Sequence, residues 1–177
     1  MKICGCKVVI DPGHNGIDEN GIRDPGAVGA SGVEEAEVVQ QIAFMLRDIL
    51  TEQGYEVMLT HEGPSEDVNY LTPRANMANK WGADILISIH ANSFGSTEPH
   101  GFEVWTTVGQ NNSDILADYL YQALEQTGMV GGRPDYTDGD SDKEANFTVI
   151  KATWMPSALV ELGFISNPAE EQVLASR

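Results

Sequence analysis

The sequence predicts an α/β fold: a single domain over residues 1–177, built on a twisted, mostly parallel sheet of about six strands flanked by helices on both faces. Short β-branched or apolar runs alternate with stretches of helical periodicity along the chain, the order that yields parallel strands joined by crossover helices. The run Ile85–His90 is almost wholly apolar, as a strand covered on both faces is. No linker or internal repeat divides the 177 residues, a length that normally forms one domain and buries roughly 70% of its unfolded surface.

The elements follow in order. Lys7–Ile10 is a β-branched run closed by Asp11-Pro12-Gly13, so a strand ends in a glycine-rich loop. A helix follows from near Val33 to Gln53, stopped by Gly54. Glu56–Thr60 is the second strand, and Thr72-Pro73 reads as an N-cap with proline at the first position of a helix through Trp81. Ile85–His90 is the third strand and Gly101–Thr106 the fourth. Ser113 is placed to cap a helix with apolar residues at Ile115, Leu116, Tyr119, Leu120 and Ala123. Phe147–Ile150 reads as a short fifth strand and Ala158–Leu162 as the last. Asn167-Pro168-Ala169-Glu170 then carries the cap, proline and acid that open a helix.

Composition excludes several classes of function. With 41% hydrophobic and 21% charged residues, the chain is too apolar for disorder. Its 10 basic against 27 acidic residues leave a net charge of −17, which repels nucleic-acid backbones and anionic membrane surfaces. No apolar run reaches the roughly 20 residues that span a bilayer, and no signal peptide is visible. Cys4 and Cys6, one residue apart in an extended lead-in, point to the same side and read as two free thiols. The loop from Pro134 to Glu144 has an Asp-x-Asp-x-Asp core, but Lys143 stands where a calcium loop needs glycine, so it reads as a solvated acidic loop.

Four polar residues stand out. At roughly 100° per residue, Val38, Val39, Ile42, Ala43, Leu46, Ile49 and Leu50 form one stripe, and Glu35 falls near its centre line while Glu34 and Glu37 fall outside it. An inward carboxylate is costly unless cations or hydrogen bonds meet it, although a place in the first turn also suits an acid. His14 follows the first strand in IDPGHNG and His90 ends the third in ISIHAN, so both belong to the edge beyond the strand carboxyl ends, where ligands collect. Two histidines and an inward glutamate match the His₂Glu set of hydrolytic zinc sites. Glu161, in SALVELGF, puts a carboxylate near the end of a buried strand, which suits a general base or an acid bonded to backbone. His61 and His100 lie in loop-like surroundings and read as surface residues.

Taken together, VVIDPGHNG, DPGAVGASGVEE, RANMAN before ADILISIHAN, GFEVW and PSALVELGFISNP resemble the catalytic domain of zinc-dependent N-acetylmuramoyl-L-alanine amidases. The likeness covers nearly the whole chain. It implies one zinc ion held by His14, Glu35 and His90, a catalytic glutamate at Glu161, and peptidoglycan as substrate. It implies hydrolysis of the amide between the lactyl group of N-acetylmuramic acid and L-alanine. Asp11 is then expected as a hydrogen-bond partner behind a ligating histidine, and Asn92 as part of the substrate groove.

Against the family pattern, Thr60-His61 stands where an arginine often follows the threonine, which is expected to alter a nearby loop and not the metal site. The short segments after His90 and Trp105 leave no room for an autoinhibitory helix, so an ungated site is expected; the final helix is short of the family's usual end. The chain is expected to be a monomer acting at the bacterial wall, as a secreted enzyme or phage-type lysin, with a separate wall-binding module, no nucleic-acid partner and no membrane partner. Two rival readings stay open. One is a carboxypeptidase-like peptide hydrolase, which would need an arginine from among Arg23, Arg47, Arg74, Arg133 and Arg177 for a terminal carboxylate; the other is an inactive wall-binding module.

Overall fold

The computed structural model describes residues 5–127 and 131–176. Its strands are β1 (Lys7–Pro12), β2 (Glu56–Leu59), β3 (Ile85–Asn92), β4 (Glu103–Thr106), β5 (Lys143–Glu144) and β6 (Ser157–Phe164). Its helices are α1 (Glu35–Glu52), α2 (Leu71–Trp81), α3 (Asn112–Gln126), α4 (Thr148–Lys151) and α5 (Pro168–Leu174). The strands form one sheet in the order β2-β1-β3-β6-β4-β5. All neighbours are parallel except β4 and β6, which are antiparallel. No helix among the described residues is long and apolar enough to cross a membrane.

Alternation along each strand sends side chains to opposite faces. On one face Val8, Ile10, Ile87, Ile89, Val104 and Val160 pack with Val39 and Ala43 of α1 and Ala117 and Tyr121 of α3. On the other, Val9, Leu86 and Leu159 pack with Ala78 of α2 and Val149 and Ile150 of α4. Two residues further along this second face the side chains turn polar: Asp11 in β1, Ser88 and then His90 in β3, and Glu161 in β6. Because β4 runs the other way, its first residue, Glu103, pairs with Glu161 at the same edge. The sheet is thus apolar where α2 and α4 cover it and polar at the carboxyl ends of its parallel strands.

Several local expectations shift. The run Phe147–Ile150 lies mostly in the short helix α4, and the fifth strand is Lys143–Glu144 instead; four apolar residues fit either state, and packing of Val149 and Ile150 against β6 and α2 decides. Helix α2 begins at Leu71 after Tyr70, with no side-chain cap, which puts Pro73 at the third helical position, still inside the turn whose N–H groups lack partners. Asn111, not Ser113, caps α3, in a box completed by Asp114; Ser113 Oγ instead accepts from the Ser157 amide at 3.1 Å. Ile115 and Tyr119 of α3 and Ile49 of α1 face solvent. Cys6 is a free, half-buried thiol, and Cys4 lies outside the described residues. The acidic loop is not wholly solvated, since Ser141 and Asp142 are buried.

Candidate active site

The site starts from the turn after β1. Gly13 donates its amide to Ile89 O at 2.9 Å, and a Cβ on Gly13 would lie 2.4 Å from the His90 ring, so only glycine lets the two loops approach. His14 and Asn15 both adopt left-handed backbone, φ 65° and 61°, a conformation that is costly for most residues other than glycine. It is held from behind. Arg74, buried in α2, donates to the carbonyls of Pro12 and His14 and to Asp11 Oδ1, while Asn15 accepts from Arg23 Nε at 2.8 Å and donates its amide to Asp24 O at 3.0 Å.

Glu35, the first residue of α1 and the one buried acid among Glu34, Glu35 and Glu37, is 4% exposed. Its Oε2 accepts from the Ala27 amide at 2.9 Å and its Oε1 from the Ala91 amide at 2.9 Å. Each oxygen also meets a histidine: His14 Nε2 lies 3.0 Å from Oε2 and His90 Nδ1 lies 3.0 Å from Oε1. One ligand atom from each of His14, Glu35 and His90 lies within 4.8 Å of the others. These three residues can therefore hold one metal ion. Asp24 lies 2.8 Å from His14 Nδ1 and orients the ring so that its Nε2 faces Glu35.

The electrostatics follow from this packing. Burial alone would raise the Glu35 pKa, but hydrogen bonds and charge from His14 and His90 hold it well below the usual carboxylate range. Burial alone would lower the His14 pKa, but Glu35 and Asp24 push it up to about 9. Glu161 behaves oppositely. It sits between His90 of β3 and Glu103 of β4 in the sheet register, and its buried Oε2 has no hydrogen-bond partner among the described residues. Burial, reinforced by the charges of Glu35 and Glu103 and opposed by His90, pushes its carboxyl up to about 7.

Residues 8–177 match the family model for N-acetylmuramoyl-L-alanine amidase. The chain belongs to this amidase family. It is 37% identical to the sporulation-specific N-acetylmuramoyl-L-alanine amidase of Bacillus subtilis over 95% of this chain and 60% of that protein. It is 31% identical to AmiA of Escherichia coli over 96% of this chain and 69% of AmiA. The chain thus spans about three fifths to two thirds of the length of these relatives. Among solved structures, AmiC2 of Nostoc punctiforme superposes with a TM-score of 0.78 at 30% identity, over 97% of this chain and 87% of that one. The catalytic domain of CwlV from Bacillus (Paenibacillus) polymyxa gives 0.79 at 31%, with the same coverage.

The structure brings His14, Glu35 and His90 into one cluster and places Glu161 opposite His90 in the sheet register. It corrects two other expectations. Asp11 bonds to neither His14 nor His90; its oxygens accept from Thr60 Oγ1 at 2.6 Å, Ser88 Oγ at 2.7 Å and Arg74 at 3.2 Å, because its strand position points it beneath the site and toward α2. Asp24, and not Asp11, is the carboxylate against the His14 ring. His61 is buried, its ring between the carbonyls of Pro12 (2.8 Å) and Gly63 (3.1 Å), so the unusual residue after Thr60 helps brace the turn before His14; His100 is exposed. Asn92 donates to Glu103 Oε2 at 3.2 Å. The sequence gives no sign that Arg74 braces the turn before His14, and Glu103 is passed over although it carries the same signal as Glu161, an acid inside a strand.

Proposed function

We propose that the chain hydrolyses the amide between the lactyl group of N-acetylmuramic acid and L-alanine in peptidoglycan, with His14, Glu35 and His90 holding one zinc ion and Glu161 handling protons. The observation that carries this reading is the placement of Glu161, whose Oε2 has no partner among the described residues, next to His90, beside a three-residue cluster of two imidazoles and one carboxylate. That donor set suits zinc, and three protein ligands leave a position open for water. Zinc, when bound, lowers the pKa of a water molecule and polarises a carbonyl.

The chain's own residues supply the rest. The Ala27 and Ala91 amides fix both Glu35 oxygens, and Asp24 fixes the His14 ring, so the donors are set before any ligand arrives. Glu161, whose Oε2 has no partner among the described residues, accepts the proton of the attacking water and passes it to the departing L-alanine nitrogen. Asn92, two residues beyond His90, forms part of the groove wall. The place of action is the bacterial wall, and with a net charge of −17 the chain draws its wall affinity from a separate binding module.

Digestion of purified peptidoglycan, followed by mass spectrometry of the new ends, tests this reading. Free L-alanine amino termini on intact glycan strands, lost with a chelator and restored by zinc, are expected. New ends inside the peptides, or no cleavage of accessible wall with zinc present, would overturn it.

A further inference from the structure

Next to Glu161 the sheet carries a second buried acid whose surroundings differ entirely. Glu103 is 3% exposed and pairs with Glu161 across the antiparallel β4–β6 register, so both side chains rise from one face. Its carboxylate takes four donors. Oε1 accepts from Arg133 Nε at 2.7 Å and Lys143 Nζ at 2.8 Å; Oε2 accepts from Asn92 Nδ2 and Trp105 Nε1, each at 3.2 Å. One buried carboxylate therefore holds two cations, a local surplus of positive charge in a chain of net −17.

Arg133 is the residue with capacity to spare. Only its Nε is spent on Glu103; its two terminal nitrogens have no partner among the described residues, its side chain is 43% exposed, and its guanidinium lies 5.3 Å over the Phe164 ring. The other described arginines are committed: Arg23 to Glu34, Arg47 to Asp48, and Arg74 to the buried bracket behind His14. Lys143 Nζ lies 5.2 Å over the Trp105 ring and is less exposed. A planar fork, oriented by a buried carboxylate and backed by an aromatic ring, matches the geometry of an incoming carboxylate.

We propose that Arg133, with Lys143 behind it, binds a free carboxylate of the stem peptide on the leaving side of the scissile amide, and that Glu103 is the positioning residue that holds both cations there. The proposal rests on the amidase reading above. It makes Arg133 a determinant of specificity, selecting stem peptides in which the residue after L-alanine keeps its free carboxylate over those in which that group is a carboxamide.

The test uses the zinc-loaded full chain and two muramoyl peptides that differ only in that carboxylate or carboxamide. Wild type is expected to show a KM about tenfold lower on the carboxylate substrate, with similar kcat on both. Arg133→Gln is expected to raise KM on the carboxylate substrate about tenfold and leave the carboxamide substrate unchanged; Arg133→Lys keeps part of the preference. Equal KM for the two substrates in wild type would overturn the proposal, as would equal impairment of both by Arg133→Lys, which keeps the charge that stabilises the fold. If wild type cleaves neither peptide at the muramoyl amide, the amidase reading itself fails; if it cleaves both with equal KM, only the role of Arg133 does.

Discussion

Glu35 and Asp142 are buried almost equally, at 4% and 2% exposure, yet the molecule answers the two carboxylates in opposite ways. Glu35 meets two imidazoles and two backbone amides, so both oxygens are satisfied. Asp142 has one donor, Thr106 Oγ1 at 2.5 Å, while its Oδ1 has no partner among the described residues and Asp140 and Asp114 face it with like charge. Burial, outweighing Thr106 and aided by those two acids, pushes Asp142 up to about 7, whereas Glu35 is driven down. Burial alone does not mark a functional carboxylate; the groups that meet it do. Glu161 stands between the two: like Asp142 it has a buried oxygen with no partner among the described residues, but it lies beside His90, one of the two imidazoles that meet Glu35.

Removing the acid from each position tests that contrast. The largest effect is expected at Glu161: Glu161→Gln should lower kcat by about 10²–10⁴-fold, with zinc content by metal analysis unchanged. Undiminished turnover would remove it as the proton carrier. Glu35→Gln should weaken zinc binding by at least about a hundredfold, because the neutral amide can neither balance two imidazoles nor accept as strongly; competition with a chromophoric chelator measures it. Wild-type affinity would show that the histidines suffice.

The smallest effect, opposite in sign for the fold, is expected for Asp142→Asn. With a folded pKa near 7 and an unfolded value near 3.8, folded Asp142 holds a proton that the unfolded chain releases across this window. Its contribution therefore makes stability fall as pH rises from about 4 to about 7. Asparagine should abolish that decline and stabilise the fold by about 1–3 kcal/mol above pH 7, read by urea unfolding at pH 5 and pH 8. An unchanged difference between the two pH values would show that Asp142 is ionised in the fold.

The inward turn of Glu35 was legible in the sequence because a helix repeats at a fixed angle, and the apolar residues from Val38 to Leu50 define its buried side without reference to any other element. His14 and His90 were legible as edge residues because each follows a strand of a mostly parallel sheet. Asp24 was not, since nothing local distinguishes it from other loop acids; its partner, His14, lies across a left-handed turn. Arg74 reads as an ordinary helix residue until α2 packs behind β1. The run Phe147–Ile150 misled because four apolar residues carry no period long enough to separate strand from helix.

By itself the sequence determined the α/β class, the alternation of strands and helices, and the four residues that break the hydrophobic pattern at the strand edge, because periodicity and the cost of a misplaced charge are properties of neighbouring residues. Tertiary structure alone decided that β6 lies between β3 and β4. That order sets Glu161 between His90 and Glu103 and brings Arg133 and Lys143 onto one buried carboxylate, while Asp142 Oδ1 is left without a partner among the described residues. Distances between residues far apart in the chain follow from strand order and packing, which no local window of residues contains.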